Sequence, residues 1–480
     1  MTARPTLPAL IGGVRVLPAD GRALELTDPA TGEAFGASAL CGPDEVEAAV
    51  RAAGAAFTGW SKSTPGERMT ALLRIADELE RRAEEFADAE CRETGKPRHI
   101  VLTEEIPQSA DALRFFGGAA RMLEGRATGE YLTGHTSSIR REPIGVCAQI
   151  TPWNYPLMMA VWKIGPAVAA GNTTVIKPAE TTPTTTVLLG EICAAHLPEG
   201  VVNVLTGDRD TGRALVEHEV PALVSLTGST RAGAEVARAA AGALKLTHLE
   251  LGGNAPALVF PDVDPVAAAE GIAQGAYYNA GQDCTAASRV LVHADVHDAF
   301  VEALAAQADA TRTGRPPLDE EADFGPLNSA GQLSRVLGLL DRLPEHATVR
   351  AGGKQVGDRG FYLAATVVDG LRQDDEIVQE EIFGPVLTVQ TFTTEEEAIA
   401  LANGVPQGLA SSVWTSDHGR AVRLSGALDF GCVWINTHGL LASEMPHGGF
   451  KQSGHGKDLS GYGLEDYTRV KHVMTAHGTA

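Results

Sequence analysis

The sequence predicts an α/β protein in which a doubly wound parallel sheet is followed by a second α/β unit. Short strand patterns alternate with helical patterns from residue 143 to residue 240, at the spacing of βαβ units. The same alternation begins again at residue 256. The 480 residues are 44% hydrophobic and 21% charged, which provides enough apolar side chain for the cores of two or three domains.

The chain before this alternation is mainly helical. Residues 43–95 carry apolar side chains at three- and four-residue spacing, in two runs separated near Pro65. Gly95 and Pro97 end the second run. A further helix is predicted over residues 104–124.

In the alternating region, the pattern predicts six strands and six helices. The predicted strands are PIGVCAQITP, TTVIKP, VVNVLTG, ALVSLTG, ALVF and RVLVH. The predicted helices cover residues 157–170, 183–196, 210–217, 231–240, 265–280 and 295–310.

Two further segments predict a small β arm. The stretch RATGEYLTGHTSSIRR, which begins at residue 126, is typical of a β-hairpin, and the tail YTRVKHVM predicts one more strand. Exposed strands of this kind often pair with another subunit. We therefore expect a homo-oligomer.

Charge and composition argue against several classes of protein. The chain has 39 basic and 61 acidic residues, a net charge of −22, which disfavours binding to nucleic acid or to an anionic membrane surface. No apolar run approaches a membrane span, and prolines and glycines interrupt the N-terminal segment MTARPTLPALIGG, so we expect a cytoplasmic protein. The six cysteines include no CxxC pair, so neither a disulfide framework nor a metal site is predicted.

The expected ligand site lies where the parallel strands end. There TTVIKPAE supplies Lys177 and Glu180, which can both bond ribose hydroxyls. A carboxylate at this place repels a 2′-phosphate, so the pair favours NAD over NADP. VSLTGST supplies Gly228, Ser229 and Thr230 at a helix start, which suits either an anion site or an ordinary N-cap. The usual GxGxxG and GxxxxGK nucleotide motifs do not occur.

One cysteine has unusual neighbours for a structural thiol. Cys284 lies in GAYYNAGQDCTAASR, among small and polar residues. Three other segments accompany it: PWNYP with Asn154, THLELGG with Glu250, and EEIFGP with Glu381 and Phe383. In this order and spacing, together with IKPAE, LTGST and PHGGFKQSG, they resemble the aldehyde dehydrogenase superfamily. The resemblance covers nearly the whole chain.

The resemblance implies a role for each of these residues. Cys284 would attack the aldehyde carbon as a thiolate. The resulting oxyanion would accept hydrogen bonds from the Asn154 amide and the Cys284 backbone N–H. Hydride transfer to NAD would leave a thioester, which water activated by Glu250 would hydrolyse. The implied cofactor-binding residues also include Trp153, Glu381 and Phe383. Each residue has a plainer interpretation: a turn asparagine, a solvated glutamate or a core aromatic.

Within the family, NYPLMMAVWKIGP, YYNAGQDCTAA, SEMPHGG and KDLSGYGLEDYTRVKHVM resemble the γ-aminobutyraldehyde dehydrogenases. Asp283, directly before the nucleophile, would attract the ammonium group of an aminoaldehyde. Tyr155 and Trp162, seven residues apart, would form an aromatic wall for that cation, or simply pack in the core. His447 stands where betaine-aldehyde relatives carry a bulky aromatic, which favours a primary amine. We expect 4-aminobutyraldehyde from putrescine or polyamine breakdown as the substrate.

We expect no catalytic role for three other acidic or polar residues. Glu105 and Asp111 are expected to be solvated surface residues, although they would add negative potential if they lay near the site. Asn254 follows LELGG where many relatives have lysine or arginine, and we expect only a local or interface effect from it.

Several alternatives stay open. Betaine aldehyde and succinate semialdehyde are other substrates of the same fold, but the second needs a cationic clamp that the recognised segments lack. A CoA-acylating enzyme would lack Glu250, and a non-enzymatic relative would lack that base or the cysteine. A cysteine hydrolase would need a histidine at the thiol, and we expect His248 to point to the opposite face of its strand from Glu250.

The resemblance also implies a division into three parts. The NAD-binding domain would take residues 1–124 and 142–251, and the catalytic domain residues 252–432. Residues 125–141 and 433–480 would form the oligomerisation arm and bridging segments.

Overall fold

The computed structural model describes residues 6–314 and 321–478. Its strands, numbered in chain order, are β1 Thr6–Leu7, β2 Ala9–Ile11, β3 Val14–Val16, β4 Ala23–Asp28, β5 Glu33–Ala39, β6 Gly129–Leu132, β7 His135–Pro143, β8 Val146–Ile150, β9 Thr173–Lys177, β10 Val202–Val204, β11 Leu223–Thr227, β12 Leu246–Glu250, β13 Pro256–Val259, β14 Arg289–His293, β15 Thr348–Ala351, β16 Thr366–Asp369, β17 Val386–Phe392, β18 Gln407–Gly408, β19 Ala410–Trp414, β20 Cys432–Ile435, β21 Phe450–Lys451, β22 Gly454–His455 and β23 Thr468–Ala476.

The α-helices are α1 Pro43–Trp60, α2 Pro65–Arg81, α3 Ala83–Thr94, α4 Arg98–Ile100, α5 Ile106–Ala119, α6 Pro156–Ala170, α7 Thr184–His196, α8 Arg209–Glu217, α9 Thr230–Ala241, α10 Pro265–Tyr277, α11 His297–Ala310, α12 Ala330–Asp341, α13 Glu376–Gln379, α14 Glu395–Asn403, α15 His418–Ala427 and α16 Ser460–Asp466. A π-helical turn, Val101–Glu105, joins α4 to α5. Within the described ranges, no helix is both long and apolar enough to cross a bilayer.

The first large sheet is doubly wound, as predicted. Its strand order is β22-β12-β11-β8-β9-β10-β2-β3, and the strands from β12 to β10 are parallel. Side chains of α1, α8 and α9 fill the core on one face, and those of α2, α5, α6 and α7 fill the core on the other. The strand order reverses at β8, so the crevice between the carboxyl ends of β8 and β11 is the expected ligand site.

The second α/β unit is built around another sheet, in the order β15-β16-β17-β14-β13-β19-β20. Its strands are parallel except for β15. Side chains of α10, α11 and α12 pack on one face, and those of α14 and α15 on the other. The loop between α10 and β14 carries Cys284 towards the first sheet.

The predicted hairpin and tail strand form a third sheet, in the antiparallel order β23-β7-β6. Each of the nine residues of β23 has a partner in β7, and β23 leaves its other edge free among the described residues. The role of this arm in assembly and the division into three domains stay predictions.

The structure differs from the predicted elements mainly at their ends. The helical region 43–95 is divided into α1, α2 and α3, and the helix expected over 104–124 is α5 with the π-helical turn before it. Strands β1 to β5 and the elements from α12 to α16 had not been predicted. The N-terminal strands are two to seven residues long, too short for a clear alternation of apolar and polar side chains.

Candidate active site

A cavity of about 750 Å³ opens at the point where the first sheet reverses its strand order. It is bounded by segments that follow β8 and β11, by the end of β12, and by loops of the second unit. Most of the predicted site residues line it: Trp153, Asn154, Tyr155, Trp162, Gly228, Ser229, Glu250, Asp283, Cys284, Glu381 and Phe383. Lys177 and Glu180 do not.

The loop before Cys284 explains the small residues in its motif. Asn279, Ala280 and Gly281 take consecutive left-handed backbone conformations, with φ of 50°, 58° and 65°. A Cβ at Gly281 would lie only 2.2 Å from the backbone oxygen of Gly384. Only glycine fits this close approach, so the tight turn that presents the thiol depends on it.

The polar residues of the same motif hold the loop in place. Gln282 is buried, and its side-chain amide donates to the backbone oxygens of Asn279 and Pro326. Its side-chain oxygen accepts from the backbone N–H of Asn328. The side chain of Asn279 donates to the backbone oxygen of Asn154 at 3.0 Å. These bonds connect the nucleophile loop to the segment after β8.

The LGG segment approaches the nucleophile from the other side. A Cβ at Gly253 would lie 1.9 Å from the backbone oxygen of Cys284, so the two backbones touch. The backbone N–H of Gly253 donates to Glu381 at 2.9 Å. Burial raises the pKa of Glu381 to about 7, against the opposing effect of this hydrogen bond.

Two hydrogen-bond donors belong to the cavity that contains the thiol. The side-chain nitrogen of Asn154 donates to the backbone oxygen of Gln282 at 3.0 Å, which uses one of its two hydrogens. The backbone N–H of Cys284 makes no hydrogen bond to another residue of the described chain. A preorganised pair of this kind can stabilise an oxyanion on a carbon bonded to the sulfur.

The thiol of Cys284 lies in an environment that disfavours its charge. Burial raises its pKa well above the ordinary value, and the carboxylates of Asp283, Glu381 and Glu250 raise it further. The side chain is half-buried in the cavity wall. The thiol is therefore protonated at neutral pH in the protein alone, and it gains nucleophilicity as the pH rises.

Glu250 ends β12 with its carboxyl group in the same cavity. Neither carboxyl oxygen has a hydrogen-bond partner among the described residues. Burial raises its pKa well above the ordinary value, and the nearby Asp458 raises it further. An unpartnered buried carboxylate with a raised pKa is a stronger base than an ordinary one and can take a proton from water.

His248 lies on a different face of its strand from the one that we expected. It precedes Glu250 by two residues in β12, and residues two apart in a strand point to the same face, so the expectation of opposite faces was wrong. Its Nε2 lies 3.2 Å from Asp458, which also lines the cavity. Lys163 approaches the same carboxylate at 3.8 Å.

The carboxylate of Asp283 is held in a fixed position. One of its oxygens accepts from the hydroxyl of Tyr155 at 2.7 Å. The other accepts from the backbone N–H and the hydroxyl of Thr285, each at 2.7 Å. Three hydrogen bonds leave part of the acceptor capacity of the carboxylate free.

The ring of Tyr155 has a cation of the protein against one face. The ammonium nitrogen of Lys96 lies 4.2 Å from the ring centroid and 2.8 Å from a carboxyl oxygen of Glu105. Glu90 lies 3.6 Å from the same nitrogen. Lys96, Glu90 and Glu105 are all buried. Lys96 therefore covers one face of the Tyr155 ring, which was expected to contact the cation of the substrate.

Glu105 is therefore not a solvated residue, contrary to expectation. The π-helical turn Val101–Glu105 directs it inward to Lys96, while Glu104 accepts from the hydroxyl of Tyr278 at 3.1 Å. Burial raises the pKa of Glu105 to about 7. Asp111 is exposed, as expected, and accepts from the hydroxyl of Ser443.

Trp162 and His447 form the other part of the cavity wall. Their ring centroids are 5.5 Å apart, at an interplanar angle of 63°. His447 is buried, and burial lowers its pKa, so it presents a neutral imidazole at neutral pH.

The rest of the cavity has features that fit a dinucleotide. Ser229 caps α9 through the backbone N–H of Ala232, so the preceding backbone N–H groups of this helix remain available for a pyrophosphate. The carboxylate of Glu381 can accept hydrogen bonds from ribose hydroxyls. Phe383, with a left-handed φ of 56°, packs edge-on against Trp153 at 5.3 Å.

Lys177 and Glu180 lie beside this cavity at the end of β9. Lys177 pairs in register with Ile150 of β8, and its buried ammonium group donates to the backbone oxygens of Pro178 and Gly207. The Glu180 side chain is exposed, 4.0 Å from that nitrogen.

Asn254 has a structural role within the subunit. Its side chain donates to the backbone oxygen of Val378 at 2.8 Å and accepts from the hydroxyl of Ser288 at 2.9 Å. The residue is buried, so it fixes the LGG segment against the second unit.

Sequence reasoning missed four residues of this site. Asn279 belongs to the quoted motif NAGQDC, so its polar side chain was the available signal. Asp458 follows PHGGFKQSG in a conspicuous run, KDLSGYG. Lys96 and Lys163 sit in helical surroundings that gave no signal, because only the folded chain brings them to Tyr155 and Asp458.

Comparisons with known proteins all find aldehyde dehydrogenases. The aldehyde dehydrogenase family is matched over residues 16–473. A betaine aldehyde dehydrogenase from Mesorhizobium japonicum is 40% identical over 484 residues, which cover 100% of this chain and 99% of that protein. An NAD⁺ complex of an aldehyde dehydrogenase from Bacillus cereus is 36% identical, with a TM-score of 0.96 over 98% of this chain and 97% of that one. A point mutant of betaine aldehyde dehydrogenase from Staphylococcus aureus, in complex with NAD⁺, is 35% identical, with a TM-score of 0.95 over 98% and 96% of the two chains.

Proposed function

The chain belongs to the aldehyde dehydrogenase family, and from this premise we propose that it oxidises an aminoaldehyde, 4-aminobutyraldehyde, to 4-aminobutanoate with NAD as the cofactor. The observation that carries the substrate choice is the carboxylate of Asp283, fixed by Tyr155 and Thr285 directly before the nucleophile.

The reaction uses the residues of the cavity in sequence. The sulfur of Cys284 forms a bond to the aldehyde carbon, and the Asn154 amide with the Cys284 backbone N–H stabilises the oxyanion. Bound NAD would supply the hydride acceptor for that carbon, and loss of the hydride would leave the acyl group on Cys284 as a thioester. Glu250 then takes a proton from water as the water oxygen attacks the acyl carbon and the C–S bond breaks.

The cofactor residues have distinct tasks. The N-terminus of α9, with Gly228 and Ser229, holds the pyrophosphate. Glu381 binds a ribose, and Phe383 and Trp153 form the apolar side of the nicotinamide site. Lys177 and Glu180 bind the other ribose, where the Glu180 carboxylate disfavours a 2′-phosphate.

The ammonium group of the substrate is attracted by a negative pocket wall. Asp283 contributes its carboxylate to this wall. Trp162 provides an aromatic face for the cation. Tyr155 acts chiefly through its hydroxyl, which fixes Asp283, because Lys96 already covers one face of its ring.

Betaine aldehyde is the second candidate. The name of the Mesorhizobium japonicum relative favours it, and so does the aromatic pair of Trp162 and His447, which can contact a trimethylammonium group. A primary ammonium differs because it can also donate hydrogen bonds to the free acceptor sites of Asp283.

The proposal also covers the domains of the chain, its assembly and its place in the cell. Residues 1–124 and 142–251 form the NAD-binding domain, residues 252–432 the catalytic domain, and residues 125–141 and 433–480 the arm and bridging segments. The arm joins subunits into a dimer or a homotetramer. The enzyme works in the cytoplasm, where oxidation of putrescine supplies the substrate.

Steady-state kinetics with three aldehydes test the substrate assignment. We expect the highest kcat/KM for 4-aminobutyraldehyde, a lower value for betaine aldehyde, and a lower value again for uncharged butanal. The substitution Asp283→Asn keeps the size of the side chain and removes its charge. We expect it to raise KM for 4-aminobutyraldehyde about tenfold, equivalent to about 1.4 kcal/mol, and to spare butanal. Equal losses for both aldehydes would show that Asp283 does not recognise charge.

A further inference from the structure

A buried histidine lies between two carboxylates behind the candidate base. The Nε2 atom of His248 is 3.2 Å from Asp458, and the Nδ1 atom is 3.3 Å from Asp466. The imidazole is 1% exposed. Both contacts are ion pairs whose geometry does not form hydrogen bonds. Two carboxylates this close to a buried imidazole favour its protonated, cationic form.

His248 ties two segments of the chain together. Its strand, β12, ends at Glu250, and Asp458 and Asp466 belong to the segment that returns past that strand end. Asp466 is 37% exposed and also accepts from the backbone N–H of Lys457 at 2.8 Å. The histidine thus anchors Asp458 from one side, while Lys163 approaches it from α6.

The position of Asp458 matters because it lies in the cavity wall beside Glu250. Its negative charge opposes ionisation of Glu250, and the positive charges of His248 and Lys163 oppose that effect. The other titratable groups around this pair are Lys457, Asp466, His447, Tyr467, Asp283 and Cys284.

We propose that His248 is a positioning residue for thioester hydrolysis, which anchors Asp458 and offsets the negative charge that this aspartate presents to Glu250. The proposal rests on the proposed function, which assigns the role of general base to Glu250.

The electrostatics of the ring support this assignment. Burial opposes the charged form of His248, but the carboxylates of Asp458 and Asp466 outweigh it and raise the pKa to about 9. The ring therefore stays charged through neutral pH. Without that charge, Glu250 would ionise only at a higher pH, and hydrolysis at pH 7 would slow while acylation of Cys284 would not.

An activated ester separates these two steps without cofactor or aldehyde. With p-nitrophenyl acetate, the Cys284 thiol first loses its proton to solvent. The thiolate sulfur then bonds to the acetyl carbon, the ester C–O bond breaks and nitrophenolate leaves. Water then attacks the acetyl carbon, Glu250 takes its proton, and the C–S bond breaks to release acetate. The initial burst of nitrophenolate measures acylation, and the later steady rate measures hydrolysis.

We expect His248→Gln to keep the burst amplitude per active site. Its steady rate at pH 7 should fall about tenfold, and the midpoint of its pH–rate profile should rise by about one unit. Asp466→Asn removes the outer partner of the ring and should shift the midpoint in the same direction by a smaller amount. His418→Gln, at an exposed histidine far from the motifs, should match the wild type.

A wild-type midpoint in His248→Gln, or a loss of rate that is uniform at every pH, would overturn the proposal. If that variant does not fold, an unchanged midpoint in Asp466→Asn overturns it instead. The variant Glu250→Gln tests the role of the base separately from the role of His248. Wild-type hydrolysis in this variant would refute the base itself. Arrested hydrolysis there, with an unmoved midpoint in His248→Gln, would refute only the role of the histidine.

Discussion

The hydroxyl of Tyr155 donates a 2.7 Å hydrogen bond to the carboxylate of Asp283, which directly precedes Cys284. The two residues are brought together from the start of α6 and from the nucleophile loop of the second unit. This bond fixes a negative charge close to the thiol. It therefore connects the choice of substrate with the reactivity of the nucleophile.

Removal of that hydroxyl should weaken recognition of a cationic substrate. We expect Tyr155→Phe to raise the ratio of the KM for 4-aminobutyraldehyde to that for butanal about threefold, because Asp283 loses one of its anchors. The free energy of unfolding should fall by about 2 kcal/mol, as for a hydrogen bond to a charged group. Denaturant unfolding and steady-state kinetics measure the two effects. Tyr462→Phe, at an exposed tyrosine, is the control, and an equal change there would refute the interpretation.

The charge of Asp283 should also be visible in the thiol. Because this carboxylate raises the pKa of Cys284, Asp283→Asn should lower that pKa. We expect the rate of alkylation by iodoacetamide at pH 7.5 to rise about three- to tenfold, since one pKa unit corresponds to a tenfold change in thiolate. A slower or unchanged rate would mean that the carboxylate does not act on the thiol.

Activity should increase with pH above neutrality. Both the thiol of Cys284 and the carboxyl of Glu250 have raised pKa values, and both must lose a proton to act. The active fraction therefore grows as pH rises through these values and falls as pH drops. Oxidation of butanal between pH 6.5 and 10 measures this profile with a substrate that does not titrate. A rate that is constant above pH 7 would contradict it.

The oxyanion donor should affect the rate more than binding. We expect Asn154→Ala to lower kcat by about 10²- to 10³-fold, the usual cost of a lost oxyanion donor, with a much smaller change in KM. Loss of its bond to Gln282 should lower the free energy of unfolding by about 1 kcal/mol. A fall in kcat of less than tenfold would show that Asn154 mainly holds the loop.

Substitutions in the buried cluster of Lys96, Glu90 and Glu105 should have non-additive effects on the free energy of unfolding. Lys96→Met leaves Glu90 and Glu105 buried without a cation, and we expect it to lower the free energy of unfolding by about 3–5 kcal/mol. The double variant Lys96→Met, Glu105→Gln removes one of those charges and should be more stable than the single variant. Denaturant unfolding of the three proteins measures this coupling. Additive losses would contradict a shared electrostatic origin.

The order of strands and helices was predictable wherever the pattern was regular. The six predicted strands correspond to β8, β9, β10, β11, β13 and β14. Since parallel strands present their carboxyl ends at one edge, residues at those ends were expected to gather, and Glu250 and Ser229 do line one cavity. Lys177 ends a neighbouring strand, but its side chain turns to backbone oxygens outside that cavity.

Contacts between distant segments were not predictable from one sequence. Nothing in the surroundings of Lys96 indicates that it lies against the ring of Tyr155, because their contact depends on how α3, α5 and α6 pack. His248 is a different case. The alternation of a strand places it on the face of Glu250, and that rule was sufficient to predict it near the base.

The central claim is that Cys284 forms a thioester whose hydrolysis requires Glu250. The most direct measurement mixes Glu250→Gln with NAD and an aldehyde that the wild type oxidises, and follows NADH while the mass of the Cys284 peptide is determined. We predict a burst of about one NADH per active site, almost no further turnover, and a peptide that carries the acyl group. Sustained turnover at the wild-type rate, or a burst without acylated Cys284, would contradict the claim.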